Sequence, residues 1–217
     1  MVEHCAHESA PDLEADAPAL PSVPYLNVLS ISPVTRTVPY EGTGKQRLDG
    51  GANYGFTNLK RNPELLDTIP EFRSDPALRS IMAAIDCPAT GLFSVACLSK
   101  TIMDDHGCRL SGYVEFALNA RDEVTDAGHY FCLFHEFDRR LGRAGFAERV
   151  SFQWEICPIT FLEVGIEGLA VDVRVDTDYH PGAQPAYESW TRALAALEAL
   201  LAGVPARSCA PIYVRET

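Results

Sequence analysis

The sequence predicts an α+β fold: an antiparallel sheet of about five to six strands with three to four helices packed on it, the C-terminal helix lying across the sheet. Three observations carry this expectation. Val150, Phe152, Trp154 and Ile156 alternate with Ser151, Gln153 and Glu155, and Leu169, Val171, Val173 and Val175 alternate with Ala170, Asp172, Arg174 and Asp176. A period of two marks strands with one buried face. The strands come in pairs joined by turns, with helices between the groups and not after every strand, a pattern of antiparallel pairing. Finally, Tyr187, Trp190, Leu194, Leu197 and Leu201 recur at helical spacing ahead of Gly203 and Pro205, which end the helix predicted over residues 186–202.

Taken in order, residues 1–24 hold five acids, four prolines and no Lys or Arg, and read as a disordered acidic tail. Residues 25–217 then form a single domain. Residues 25–32 (YLNVLSIS) predict a short strand, placed at an edge or as an extended arm by Pro24 and Pro33. Residues 34–60 are rich in Gly, Thr, Asn and charge and predict a long loop. Asn62-Pro63 and Asp75-Pro76 each offer a capping side chain before a proline, so two short helices should start there. A hairpin should follow, with strands at residues 92–103 and 110–118 and a loop of Asp104, Asp105, His106 and Gly107. A helix is predicted over residues 129–139. Beyond it, residues 150–156, 159–164 and 169–176 predict a three-stranded meander, and residues 211–215 a final edge strand.

Composition restricts the function classes. A chain of 217 residues, 47% hydrophobic, has enough apolar surface for one sizeable core. A formal charge of −12 argues against a nucleic-acid partner, since phosphate affinity needs a field of Lys and Arg. No window approaches the ~18 consecutive apolar residues of a membrane span. Acids and prolines stand where a secretory signal would carry basic and then apolar residues. Seven cysteines, an odd number without a CxxC pair, fit a reducing compartment, and the expected location is cytoplasmic.

The most chemically capable stretch is the helix over residues 129–139. At about 100° per residue, His129, Cys132, His135, Glu136 and Arg139 share one side, opposite Tyr130, Leu133, Phe134, Phe137 and Leu141. A cysteine flanked by histidines at three-residue spacing suits a thiolate with its base, with Cys132, His129, His135 and Glu136 as candidate catalytic groups. His129, Cys132 and Glu136 equally suit zinc or iron. Against both stand the missing second histidine of an HExxH helix and the plainer reading of a solvated polar face. Val2-Glu3-His4, with Cys5 and His7 beside it, is a weaker candidate for Cu(II) or Ni(II).

Asp104, Asp105 and His106, the trio Asp172, Asp176 and Asp178, and the trio Asp122, Glu123 and Asp126 supply further carboxylates. Turn and cap chemistry accounts for most of them. Tyr179-His180-Pro181-Gly182 reads as a loop at a sheet edge, and the glycine-rich run from Gly50 to Gly55 lacks the strand and helix of a nucleotide cradle. The expected function is that of a small acidic cytoplasmic binding protein (an adaptor, inhibitor or immunity-type protein) engaging a basic protein partner by charge complementarity. The alternative is a Cys/His enzyme or metalloprotein acting on a small molecule or peptide through the face of the 129–139 helix.

Overall fold

A computed structural model of the protein describes residues 25–44, 54–206 and 210–215. Six strands form one sheet: β1 (Tyr25–Ile31), β2 (Arg36–Val38), β3 (Leu92–Asp104), β4 (Gly107–Leu118), β5 (Val150–Phe161) and β6 (Ile166–Thr177). They lie in the order β1-β5-β6-β4-β3, with β2 continuing the β1 side of β5. The pairs β3/β4, β4/β6 and β5/β6 are antiparallel, whereas β1 and β2 both run parallel to β5. The expected α+β class therefore holds. The helices are α1 (Pro76–Ile85), α2 (Ala127–Ala144) and α3 (Ala183–Leu201), with two 3-10 segments, Pro63–Thr68 and Pro70–Arg73, ahead of α1.

The even-numbered residues of β5 and β4 and the odd-numbered ones of β6 face the helices. Phe137 of α2 packs on Phe152 and Trp154 with ring centroids 4.8 and 5.6 Å apart. Trp190 of α3 sits over Gly112, where a Cβ would come within 2.9 Å of the indole and 2.2 Å of the Leu98 carbonyl oxygen. Only glycine lets the helix approach the sheet this closely. Phe152, Trp154, Val171, Val173, Trp190, Leu194 and Leu197 all belong to one buried cluster. Asp75 joins two helices to one another: one carboxylate oxygen accepts the Leu78 amide and caps α1, and the other accepts the Trp190 indole N–H at 2.8 Å.

Four details depart from the sequence expectations. Strand β5 is continuous where two strands of a meander were expected. The Ser32 amide donates to the Ile156 carbonyl and the Leu162 amide to that of Val38, so even-numbered backbone groups of β5 point to the β1/β2 side. Pro158 has no N–H for the next bond on that side, and it falls in the gap between the two parallel strands. The β3/β4 loop has two residues and not four, because Asp104 pairs with Gly107, whose φ of +118° suits the tight turn. The segment after Asn62 winds as 3-10 and not α-helix, since Asn62 makes no capping bond and Pro70 interrupts the run. Residues 211–215 form no strand. They are pinned by Asn119, whose Oδ1 accepts the amides of Ile212 and Tyr213 while its Nδ2 donates to the Tyr213 carbonyl.

Of the expected 34–60 loop, β2 is a strand, Leu59 is core and residues 45–53 lie outside the described part. The expected acidic tail, residues 1–24, lies outside it too, as does the Val2-Glu3-His4 motif.

Candidate functional site: a polar sheet face and its cavity

Ladder registers fix what the second sheet face carries. Ala96, Glu115, Asp172 and Glu155 stand opposite one another on β3, β4, β6 and β5. Leu98, Tyr113, Arg174 and Gln153 form the next rung, and Lys100, Ser111, Asp176 and Ser151 the one after. A bulge between Ser94 and Ala96 sets this phase in β3, sending Lys100 to the polar face. Toward the other end the same face turns apolar. Phe93 meets Phe161 edge to face at 5.3 Å and Tyr213 edge to face at 5.0 Å.

Three carboxylates on one rung repel each other, and a single guanidinium joins them. Arg36, the first residue of β2, lies 2.7 Å from Glu115, 3.5 Å from Glu155 and 3.6 Å from Asp172. Glu115 is only 3% exposed. Burial pushes its pKa up to about 7 against the pull of Arg36, and burial likewise raises Asp172 to about 6. Burial opposes the Arg36 charge, yet its acidic neighbours carry its pKa above the ordinary value. The Cys157 thiol, 3.9 Å from Glu115, is pushed up to about 12 by burial. That thiol is inert as a nucleophile.

Ala96, Glu115 and Asp172 of this rung line a cavity of about 900 Å³, together with the cations Arg36, Lys100 and Arg174. Tyr40 and Tyr54 line it from the segment after β2, and Ile69, Pro70 and Glu71 wall it beside the β3 bulge. One Glu71 oxygen, Oε2, is shut off from solvent and has no hydrogen-bond partner among the described residues. Burial raises the Glu71 pKa. Perturbed carboxylates converging on a cavity are the pattern of a functional site.

The α2 residues stand elsewhere. Asp126 caps the helix by accepting the Gly128 amide, and Gly145 closes it in the left-handed conformation. Tyr130, Phe137 and Leu141 point into the core. Cys132, His135 and Arg139 are exposed, and His129 lies 3.8 Å from Asp126. Glu136 pairs with Arg140 at 2.8 Å and with Arg139, and its hydrogen bond from Arg140 lowers its pKa. None of these side chains lines the cavity. Among the described residues no three of His, Cys, Asp and Glu gather as a metal ion would require.

The structure also brings together two segments that stood apart in the sequence. Tyr179 donates its hydroxyl to Asp104 at 2.6 Å, packs edge to face on His106 and lies under the Arg109 guanidinium. Arg109 pairs with Asp176 at 3.0 Å. Of the carboxylates noted from sequence, Asp172 alone belongs to the rung under Arg36. Sequence reasoning missed Arg36, Glu71, Glu115 and Glu155; the polar half of each alternating strand was the available signal.

No protein-family model, no curated protein and no solved structure matches the chain.

Proposed function

We propose that the chain is a small acidic cytoplasmic binding protein, of adaptor, inhibitor or immunity type, whose open sheet face engages a basic protein partner. The observation that carries this reading is the carboxylate rung: Glu115, Asp172 and Glu155 share one arginine, and the first two lie with it at a cavity. A cationic group arriving there relieves like-charge repulsion inside a partly desolvated site, where Coulombic attraction exceeds its value in water. The formal charge of −12 adds long-range steering toward a basic surface. Among the described residues no helix is long and apolar enough to cross a membrane, and all five described cysteines are free, in keeping with a reducing compartment.

The test is the association rate of a fluorescent arginine-rich peptide with the full chain, followed from low to high salt. The expected rate falls steeply as salt rises, and the double variant Glu155→Gln/Asp172→Asn lowers it further at low salt. Equal binding of an acidic peptide of the same length, or a salt-insensitive rate, overturns the reading.

A further inference from the structure

We propose that the open edge of β3 is a docking site for one extended, uncharged peptide segment of a partner protein, which adds to the sheet as a further strand and runs into the cavity. Backbone hydrogen bonds set such docking whatever the partner's charge, so it goes beyond the basic-partner reading.

Strand β3 ends the sheet, is 13 residues long and, among the described residues, pairs only with β4. Directly opposed residues of an antiparallel pair either bond each other or both turn away. Cys108 exchanges both backbone bonds with His180, and the amide and carbonyl of Leu110 both meet the Thr177 hydroxyl. These two residues therefore turn from β3, and their partners Met103 and Thr101 point their N–H and C=O off the sheet. The alternation gives Ser99 and Cys97 the same orientation. Ser94, before the bulge, also sends its N–H outward, and there Asp86 accepts it. From Cys97 to Met103 no backbone or side-chain group among the described residues does the same.

The cavity reaches this edge. Ser94, Val95, Ala96, Cys97 and Leu98 line it in succession, whereas a space on one sheet face alone would touch every second residue. Unpaired edge backbone is a template for another strand, and an extended main chain matches the spacing of its groups. Arg36, Lys100 and Arg174 balance Glu71, Glu115 and Asp172 along the cavity, so a charge on the incoming strand would lose hydration without finding a net attraction. A second copy of the chain fits less well. It brings another formal charge of −12. At Cys97 it has to share a cavity of about 900 Å³ with Ile69, Pro70 and Glu71, which leaves room for a segment and not for the edge of a folded sheet.

The experiment selects octapeptides of uncharged residues from a displayed library against the full chain and measures the best of them, resynthesised with a fluorescent label, by anisotropy. Single N-methyl groups are then placed at each peptide amide in turn. Methylation should weaken binding about tenfold or more at every second residue and at most about twofold in between. Thr101→Pro, which removes an outward N–H and no ladder bond, should weaken the unmethylated peptide to a similar degree. The methylation profile is read on the unaltered chain, so it decides the matter even if Thr101→Pro unfolds. A profile without alternation, a library that yields no binder, or full binding by folded Thr101→Pro overturns the proposal and leaves the basic-partner reading standing, since the probe carries no charge. Sedimentation of the chain as a dimer that Thr101→Pro makes monomeric gives the edge to a second copy and likewise overturns it.

Discussion

Glu115 sits 2.7 Å from Arg36, yet its carboxylate is held less firmly charged than in water, because burial outweighs its single cationic partner. A raised folded pKa contributes stability that is complete below the unfolded value and lost as pH rises through the folded one. For Glu115 this window runs from about 4.5 to about 7, and for Asp172 from 3.8 to about 6. The pair should therefore make the protein more stable at pH 5.5 than at pH 8. The Glu115 contribution is on the order of 2–3 kcal/mol. Melting temperatures of wild type and Glu115→Gln across this range check it: the variant should show a flatter profile. Identical slopes would show that the rung does not titrate there.

Lys60 is a further ionisable group with a buried role. Its ammonium donates to the carbonyls of Cys87 and Thr90 and to the Thr90 hydroxyl, tying the chain before the 3-10 segments to the end of α1. Burial lowers its pKa, although Asp86 opposes the shift. Lys60→Met removes the donors and leaves buried carbonyls to compete for the Thr90 hydroxyl. A loss of about 2–4 kcal/mol in chemical denaturation is expected.

At the level of elements, the α1/α3 contact depends on one carboxylate serving as both helix cap and indole acceptor. Asp75→Ala should cost about 2–3 kcal/mol, more than an exposed cap, and Trp190→Ala roughly 3–5 kcal/mol. Trp190→Phe combined with Asp75→Ala should be less harmful than the two costs added, since both break the same hydrogen bond. Strict additivity in the double-mutant cycle would refute the link. These elements were legible in sequence because period-two and period-3.6 patterns report local burial. The Asp75-Pro76 cap, the clean alternation in β5 and β6 and the terminal helix all appear in place. The arrangement of β1 and β2 beside β5 was not legible: parallel pairing over such separation leaves no turn signal. The site was invisible for the same reason. Arg36 and Glu155 are 119 residues apart, and the polar side of a strand looks the same whether it faces water or a cavity. The bulge at Ser94/Ala96, which sets the phase of β3, likewise has no reliable sequence signature.

At the scale of the molecule, helices cover one sheet face, and the other divides into an apolar half and a polar half with a cavity. Charge is unevenly used: the inner carboxylates are buried and coupled, whereas Glu136, Arg139 and Arg140 settle their charges locally on α2. Screening should therefore affect partner capture more than folding. Raising salt from about 50 to 500 mM should slow association several-fold while moving the melting temperature little. Stopped-flow binding and a thermal scan of the same sample decide it; a large parallel fall in both would mean that surface charge sustains the fold.

The outermost strand carries a cost in time. Residues of β1 have no charged side chain, and Leu26 and Val28 remain 43% and 41% exposed even in the finished sheet. Among the described residues its only strand neighbour is β5, and Ser30 and Trp154 are 124 residues apart. At roughly 5–20 residues per second, a ribosome needs about 6–25 s to deliver that partner. During the interval this strand is an uncharged template, without its β5 partner, for whatever lies nearby, including the same strand on the next nascent chain of a polysome.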